Sequence, residues 1–244
     1  MIRLENVTKR LLGKLVLDEM SLHVRRSETY VILGPSGVGK SVTLKLIIGL
    51  MKPDSGRILI KGNDIAGMNR RRLFELRRMF GFLFQSGALI NWLNVFDNVA
   101  LPLREERKMA EDQIHDAVLR RLQLVDLEGT EEMMPDQLSG GMKKRVAIAR
   151  AIITNPEIIL YDEPRTGLDP IVGETINQLI LRLQEKLNAT SVVVTHDLHS
   201  AFKVGNRIGL LEKGKIIAEG TPDELRRSNE PAVRKFIDVT AVKP

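Results

Sequence analysis

The 244-residue chain contains no cysteine. That excludes disulfides and thiolate metal centres and fits a reducing compartment. No apolar run reaches the roughly 18 residues that a membrane-spanning helix needs, and the first residues lack the apolar core of a signal peptide. Aromatics make up only 4% of the chain, and Trp92 is the single tryptophan. Internal repeats and low-complexity segments are also missing. What remains is ordinary globular composition, 43% hydrophobic and 28% charged, long enough for one or two domains with a substantial core. The net charge of +6 permits an acidic partner, either nucleic acid or an anionic membrane face. Its sharpest basic cluster, Arg70-Arg71-Arg72 with Arg77-Arg78, reads as the solvated face of a helix.

The stretch that organises the chain is Gly34-Pro35-Ser36-Gly37-Val38-Gly39-Lys40-Ser41, which fits the phosphate-binding pattern G-x-x-x-x-G-K-[ST]. A β-rich run, Thr29 to Leu33, precedes it, and Leu44, Leu46, Ile47 and Ile48 follow at helical spacing, closed by Gly49. The glycines let backbone N–H groups wrap a phosphate chain, and the helix start adds its positive end. Lys40 is expected on the β- and γ-phosphates, with the Ser41 hydroxyl on Mg²⁺.

Short alternating runs in residues 1–28 predict antiparallel strands, followed after the loop helix by a turn at 53–56, a strand over 57–60 and a turn at Gly62-Asn63. Phe80 to Phe84 is another apolar run, ending at Gln85. From Ser86 to about 153 the pattern becomes helical. Asn94 and Asp97 form an N-cap pattern, and Ile114, Ala117, Val118, Leu122 and Val125 share one face. Leu89, Ile90, Trp92, Leu93 and Phe96 are too apolar for an ordinary loop; they form either a partner dock or the helical subdomain's own core. The strand 158–161, the helical stripe Val172, Thr175, Ile176, Leu179, Leu183 and Leu187, and the strand 191–195 then restore a βαβ rhythm. A hairpin joined at Lys213-Gly214, a helix capped at Thr221-Pro222, and a partly helical tail from Pro231 to Asp238 complete the chain. The expected organisation is one domain over 1–225 with a tail over 226–244.

Asp162-Glu163 ends a buried parallel strand, where such sheets bind ligands. Beside a phosphate loop, the Asp serves Mg²⁺ and the next acid polarises a water. Leu138-Ser139-Gly140-Gly141-Met142 opens a helix. It reads either as a second phosphate grip, with Ser139 as N-cap, or as a flexible capped start. His196 ends a strand; such a histidine is commonly structural, unless sheet order brings it to the γ-phosphate.

These motifs, in this order along nearly the whole chain, resemble the ABC transporter ATPase subunits. They comprise a Walker A loop at 34–41, a Q-loop at Gln85, a signature at 138–142, a Walker B strand ending Asp162-Glu163, a D-loop Gly167-Leu168-Asp169 and an H-loop His196. The resemblance implies an α/β fold, with a P-loop (RecA-like) core, an N-terminal antiparallel β subdomain and an inserted α-helical subdomain. It also implies ATP bound by Gly34 to Ser41 and Val42, with a residue near Leu11 on the adenine. Mg²⁺ is implied on Ser41, Gln85 and Asp162, with Glu163 as catalytic base and His196 and Gln85 sensing the γ-phosphate. A head-to-tail homodimer is implied too, in which Ser139, Gly140, Gly141 and Asp169 of one subunit close ATP held by the other.

The segments Phe84 to Leu89, Val95 to Val99 and Leu101 to Glu105, with Met142 ending the signature, are similar to the Mla/Mce lipid-transport ATPases. That implies a peripheral protein at the cytoplasmic face of the inner membrane, driving a separate permease. An Mce-type lipid-binding protein and a small accessory protein belong to the same implication, and no nucleic acid is expected. Three positions depart from the wider family. Leu11, between Arg10 and Leu12, stands where an aromatic often stacks on adenine, Met142 replaces glutamine, and Arg165 replaces threonine at what reads as a surface position. A soluble ABC ATPase acting on DNA or ribosomes would carry tandem cassettes or long coiled-coil inserts, and neither is present. A small-molecule P-loop kinase fits poorly with the signature and the Asp162-Glu163 pair.

Overall fold

The computed structural model describes residues 1–241, so the end of the expected tail, 242–244, lies outside the described residues. Two compact units emerge, residues 1–77 with 190 onward, and residues 78–189.

The first unit opens with β1 (Ile2–Leu11) and β2 (Lys14–Val24), an antiparallel hairpin. Its turn residues Leu12 and Gly13 have φ of 47° and 80°, the left-handed pair that a two-residue hairpin needs. Alternation sends Ile2, Leu4, Val7, Met20, Leu22 and Val24 inward. Next come β3 (Thr29–Leu33), α1 (Lys40–Ile47), β4 (Ser55–Ile60), β5 (Asn63–Asp64) and α2 (Arg70–Arg77). β4 joins β1 to give the antiparallel order β2-β1-β4-β5. The turn expected at Gly62-Asn63 falls one residue earlier, at Lys61-Gly62, because Asn63 already pairs with Ile60. Arg70, Arg71 and Arg72 are exposed as expected, but Arg77 is not part of a solvated face. Its guanidinium donates to Ile48 O at 3.2 Å and Gly49 O at 2.7 Å, capping the end of α1.

The second unit contains β6 (Phe80–Leu83), α3 (Val95–Glu106), α4 (Glu111–Leu124), α5 (Gly140–Ile152), β7 (Ile158–Asp162) and α6 (Pro170–Leu187). β6 and β7 are parallel, matched from Phe80 opposite Ile158 to Leu83 opposite Tyr161. α5 packs on α3, α4, α6 and β6 and is buried on most of its circumference. Asn94 caps α3 by accepting from Asp97 N at 2.8 Å. The α6 stripe is rotated from expectation. Ile176, Leu179 and Leu183 are buried, but Thr175 faces solvent, and Gly173, Asn177 and Ile180 take the inner face. Thr175 satisfies its hydroxyl by donating back to Val172 O at 2.8 Å, so it needs no core position.

The chain then adds β8 (Thr190–Thr195), α7 (Leu198–Val204), β9 (Arg207–Glu212), β10 (Lys215–Gly220), α8 (Pro222–Arg227) and α9 (Pro231–Ala241) to the first unit. There β3 is flanked in parallel by β8 and β9, and β10 pairs antiparallel with β9 across Lys213-Gly214. α1 packs against β8 and β4, and α7 against β3 and β8. Thr221 and Glu224 form a capping box for α8, and the last helix runs past Asp238 to Ala241.

Candidate active site

In the first unit, register decides what meets the phosphate loop. Leu33 lies opposite Thr195, so the loop and His196 leave neighbouring parallel strands at one level. Gly34 N donates to Thr195 O at 3.2 Å and ties the two exits together. Lys40 is only 5% exposed, yet its ammonium donates to Gly34 O at 2.8 Å and Pro35 O at 3.0 Å, folded back across the loop it serves. Pro35, Ser36 and Gly37 are exposed, while Ser41 and Val42 are half-buried in the first turn of α1. His196 is exposed, and Asp197 caps α7 by accepting from Ser200 N at 2.8 Å.

Leu11 is the half-buried last residue of β1, paired with Lys14, and Leu12 at the hairpin tip is fully exposed. The side chains of β2 that reach the phosphate loop are Val16 and Leu17. A Cβ on Gly39 would stand 3.1 Å from Val16 Cγ1 and 2.9 Å from Leu17 Cδ2, and Gly39 itself has φ of 115°. That φ is what requires glycine there. Val16 was missed in the sequence; the signal was an apolar pair that the hairpin register carries to the loop.

In the second unit, Gln85 and Glu163 each stand two residues beyond the matched pair Leu83 and Tyr161, and so leave β6 and β7 side by side. Asp162 and Glu163 are 6% and 7% exposed, whereas Gln85 is exposed. Glu163 has φ of 47°, a left-handed backbone that costs an L residue about 1–2 kcal/mol. Its carbonyl accepts from Thr166 N at 3.2 Å and Lys144 Nζ at 3.5 Å, and its carboxylate accepts from Thr166 Oγ1 at 3.3 Å. Lys144 Nζ also donates to Gln85 O. Burial pulls the Lys144 ammonium below the ordinary lysine range, while the charges of Asp162 and Glu163 oppose that shift.

Beyond Gln85, a second, half-buried cation of α5 holds the loop. Arg150 Nη2 donates to Gly87 O at 2.8 Å, and its Nη1 lies 3.4 Å from Asn98 Oδ1. Fully buried Asn98 accepts from Ile90 N at 2.8 Å and donates to Ile90 O at 3.0 Å and Leu93 O at 2.9 Å. The loop so held presents Trp92, which is 80% exposed and therefore not core. Phe96 is occupied instead, 5.5 Å from the His115 ring and under Arg104.

Ser139 caps α5, its hydroxyl accepting from Met142 N at 3.3 Å. Gly140 is exposed at the helix start, whereas Gly141 is buried and a Cβ there would overlap Val172 Cγ1 of α6. One signature glycine thus offers an amide, and the other permits helix packing. Asp169 Oδ1 accepts from Ile171 N and Val172 N, both at 3.0 Å, and caps α6. Arg165 is not a surface side chain: its guanidinium lies over Gly173, where a Cβ would stand 2.5 Å from Nε. Ser41, Gln85 and Asp162 each offer a hard oxygen donor, the chemistry Mg²⁺ prefers. Among the described residues no group of three or more His, Cys, Asp or Glu could hold a metal ion.

The ABC transporter family profile matches residues 17–166. The chain belongs to the ABC transporter family. It is an ATP-binding subunit that hydrolyses ATP. A probable ribonucleotide transport ATP-binding protein of Mycobacterium leprae is 42% identical over 243 residues, covering 100% of this chain and 70% of that one. The intermembrane phospholipid transport system ATP-binding protein MlaF of Haemophilus influenzae is 42% identical over 237 residues, covering 97% and 90%. A solved dimeric ATP-binding cassette in a post-hydrolysis state with ADP and Pi is 38% identical, with a TM-score of 0.83 over 91% of this chain and 99% of that one. That ABC ATPase subunits contain an antiparallel sheet, a parallel core and a helical insert agrees with the architecture described above.

Proposed function

We propose that this ABC ATPase drives phospholipid transport through a separate membrane permease, working as a head-to-tail homodimer at the cytoplasmic face of the inner membrane. Among the described residues no helix is long and apolar enough to cross a membrane. The relatives' names divide between ribonucleotide and phospholipid transport. The likeness of Phe84–Leu89 and Val95–Val99 to the Mla/Mce ATPases favours the lipid. An Mce-type lipid-binding protein and a small accessory protein fit the same reading.

In hydrolysis, Lys40 and the backbone N–H groups of residues 36–41 hold the phosphates, and Val42 and Leu11 complete the nucleotide contacts. Glu163 takes the proton of the attacking water, and His196 and Gln85 read the γ-phosphate. Ser139, Gly140, Gly141 and Asp169 act on the nucleotide of the opposite subunit. Ser41, Asp162 and Gln85 would hold Mg²⁺, which supplies charge neutralisation at the phosphates when bound. Positioning and fixed dipoles then provide most of the rate.

The observation that carries the transport reading is Trp92, exposed on a loop that starts at the γ-phosphate-sensing Gln85. Tryptophan is enriched in interface hot spots, where truncation costs about 2 kcal/mol or more. Tagged chain extracted from membranes in detergent is expected to bring an integral membrane permease and bound phospholipid. Trp92→Ala is expected to lose the permease with its melting temperature unchanged. Wild-type recovery of the permease by that variant would return the dock to another surface, and extraction without any membrane protein would sink the transport reading.

A further inference from the structure

We infer that Lys144 is a positioning residue for ATP hydrolysis, its ammonium fixing the backbone of Gln85 and Glu163 together. The inference rests on the roles proposed above for those two residues. β7 ends at Asp162, so no strand pairing holds Glu163 in its left-handed conformation. What meets its carbonyl is Thr166 N at 3.2 Å and Lys144 Nζ at 3.5 Å. The same Nζ donates to Gln85 O, on the strand exit alongside. Turning the Glu163 peptide would swing the carboxylate it carries, and moving the Gln85 peptide would move the amide that reads the nucleotide. One cation restrains both.

Lys144 is suited to this task because it cannot wander. It is 6% exposed and stands one turn after Gly140 on α5, the helix that the signature opens. Backbone carbonyls give it fixed acceptors, and the nearby negative charges of Asp162 and Glu163 keep a buried cation tolerable. The start of the signature helix is therefore tied through this one side chain to the backbone of Gln85 and of Glu163.

The test compares Lys144→Met, which keeps length and removes both charge and donors, with Lys144→Arg and Lys144→Gln. Steady-state ATP hydrolysis gives kcat and KM, and thermal melting reports folding. Lys144→Met is expected to lower kcat about tenfold or more, since small misplacements of reacting groups act on that scale. KM is expected to stay within about twofold, with Lys144→Arg recovering most of the rate. Should the methionine variant not fold, Lys144→Gln against Lys144→Arg makes the same comparison, with glutamine the slower. Wild-type kcat in the methionine or glutamine variant, or an arginine variant as slow as either, would overturn the inference. Glu163→Gln is measured beside them and is expected to bind ATP, trap an ATP-bound dimer and turn over at least about a hundredfold more slowly. Normal turnover by Glu163→Gln would retire the base assignment and this inference with it. A wild-type rate in Lys144→Met beside an inactive Glu163→Gln retires the Lys144 role alone.

Discussion

Replacing Asn98 by alanine tests how the loop after Gln85 is held. The side chain is fully buried and serves the loop with both ends of its amide. Its Oδ1 accepts from Ile90 N at 2.8 Å, and its Nδ2 donates to Ile90 O at 3.0 Å, Leu93 O at 2.9 Å and Asn94 O at 3.0 Å. Two hydrogens cannot serve three carbonyls at full strength, and Asn94 O already accepts the helical N–H of Asn98. Beside the long 3.4 Å contact from Arg150, three effective bonds to the loop remain, each with a net worth of about 1 kcal/mol. Ile90 and Leu93 are half-buried, so water reaches part of what the truncation exposes, and the orphan penalty is moderate. Asn98→Ala should therefore cost about 3 kcal/mol, seen as a drop in melting temperature of roughly 6–12 °C for a chain of this size. Asn98→Asp should be no better, because it turns an oxygen toward the carbonyls that the amide hydrogens served. Urea denaturation gives the free energy directly, and permease recovery from membranes reports whether Trp92 is still presented. A cost below about 0.5 kcal/mol for Asn98→Ala would refute the account, since buried hydrogen bonds of this geometry do not vanish without a larger penalty.

Leu11→Tyr should strengthen ATP binding by about 0.5–1.5 kcal/mol through stacking, and should improve discrimination against GTP. Nucleotide titration with no gain would move the adenine to other neighbours, such as Arg10 or Val16. The Arg182 guanidinium holds the Asp126 carboxyl below the usual carboxylate range, through contacts of 2.6 and 3.3 Å. A depressed pKa stabilises the fold above the unfolded value of about 3.9, and that contribution is lost as pH falls through the lower folded value. Both side chains are largely exposed, so Arg182→Ala should cost only about 0.5 kcal/mol at neutral pH. The difference should close in denaturation curves measured at low pH, and a gap that persisted there would mean that Arg182 acts through packing.

Much of the first unit could be read along the chain because its signals are local. The phosphate loop, its strand and its helix are contiguous. The hairpin at Lys213-Gly214 and the cap at Thr221 are written within a few residues. The same holds for the Asn94 and Ser139 caps in the second unit. The position of His196 was also within reach of the sequence, as the residue after a buried strand. Only the pairing of Leu33 with Thr195 brought it level with the phosphate loop.

Other residues had no local signature. Lys144 reads as one of several lysines and arginines on a helix, yet it is buried because α5 packs on nearly every side, and its acceptors are 59 and 19 residues away. Arg77 and Arg165 looked like solvated charge. The first found the open carbonyls at the end of α1, and the second the bare backbone of Gly173. Asn98 lay in a helical pattern that gave no hint of the loop it holds. Which chemistry the chain carries is written along it, because phosphate binding needs particular residues at fixed spacing along one strand, loop and helix. Which cations and amides position that chemistry was decided only by the tertiary structure. A buried polar group must find its partner wherever packing brings an unpaired carbonyl, and that depends on register and helix contact rather than on neighbours in the chain.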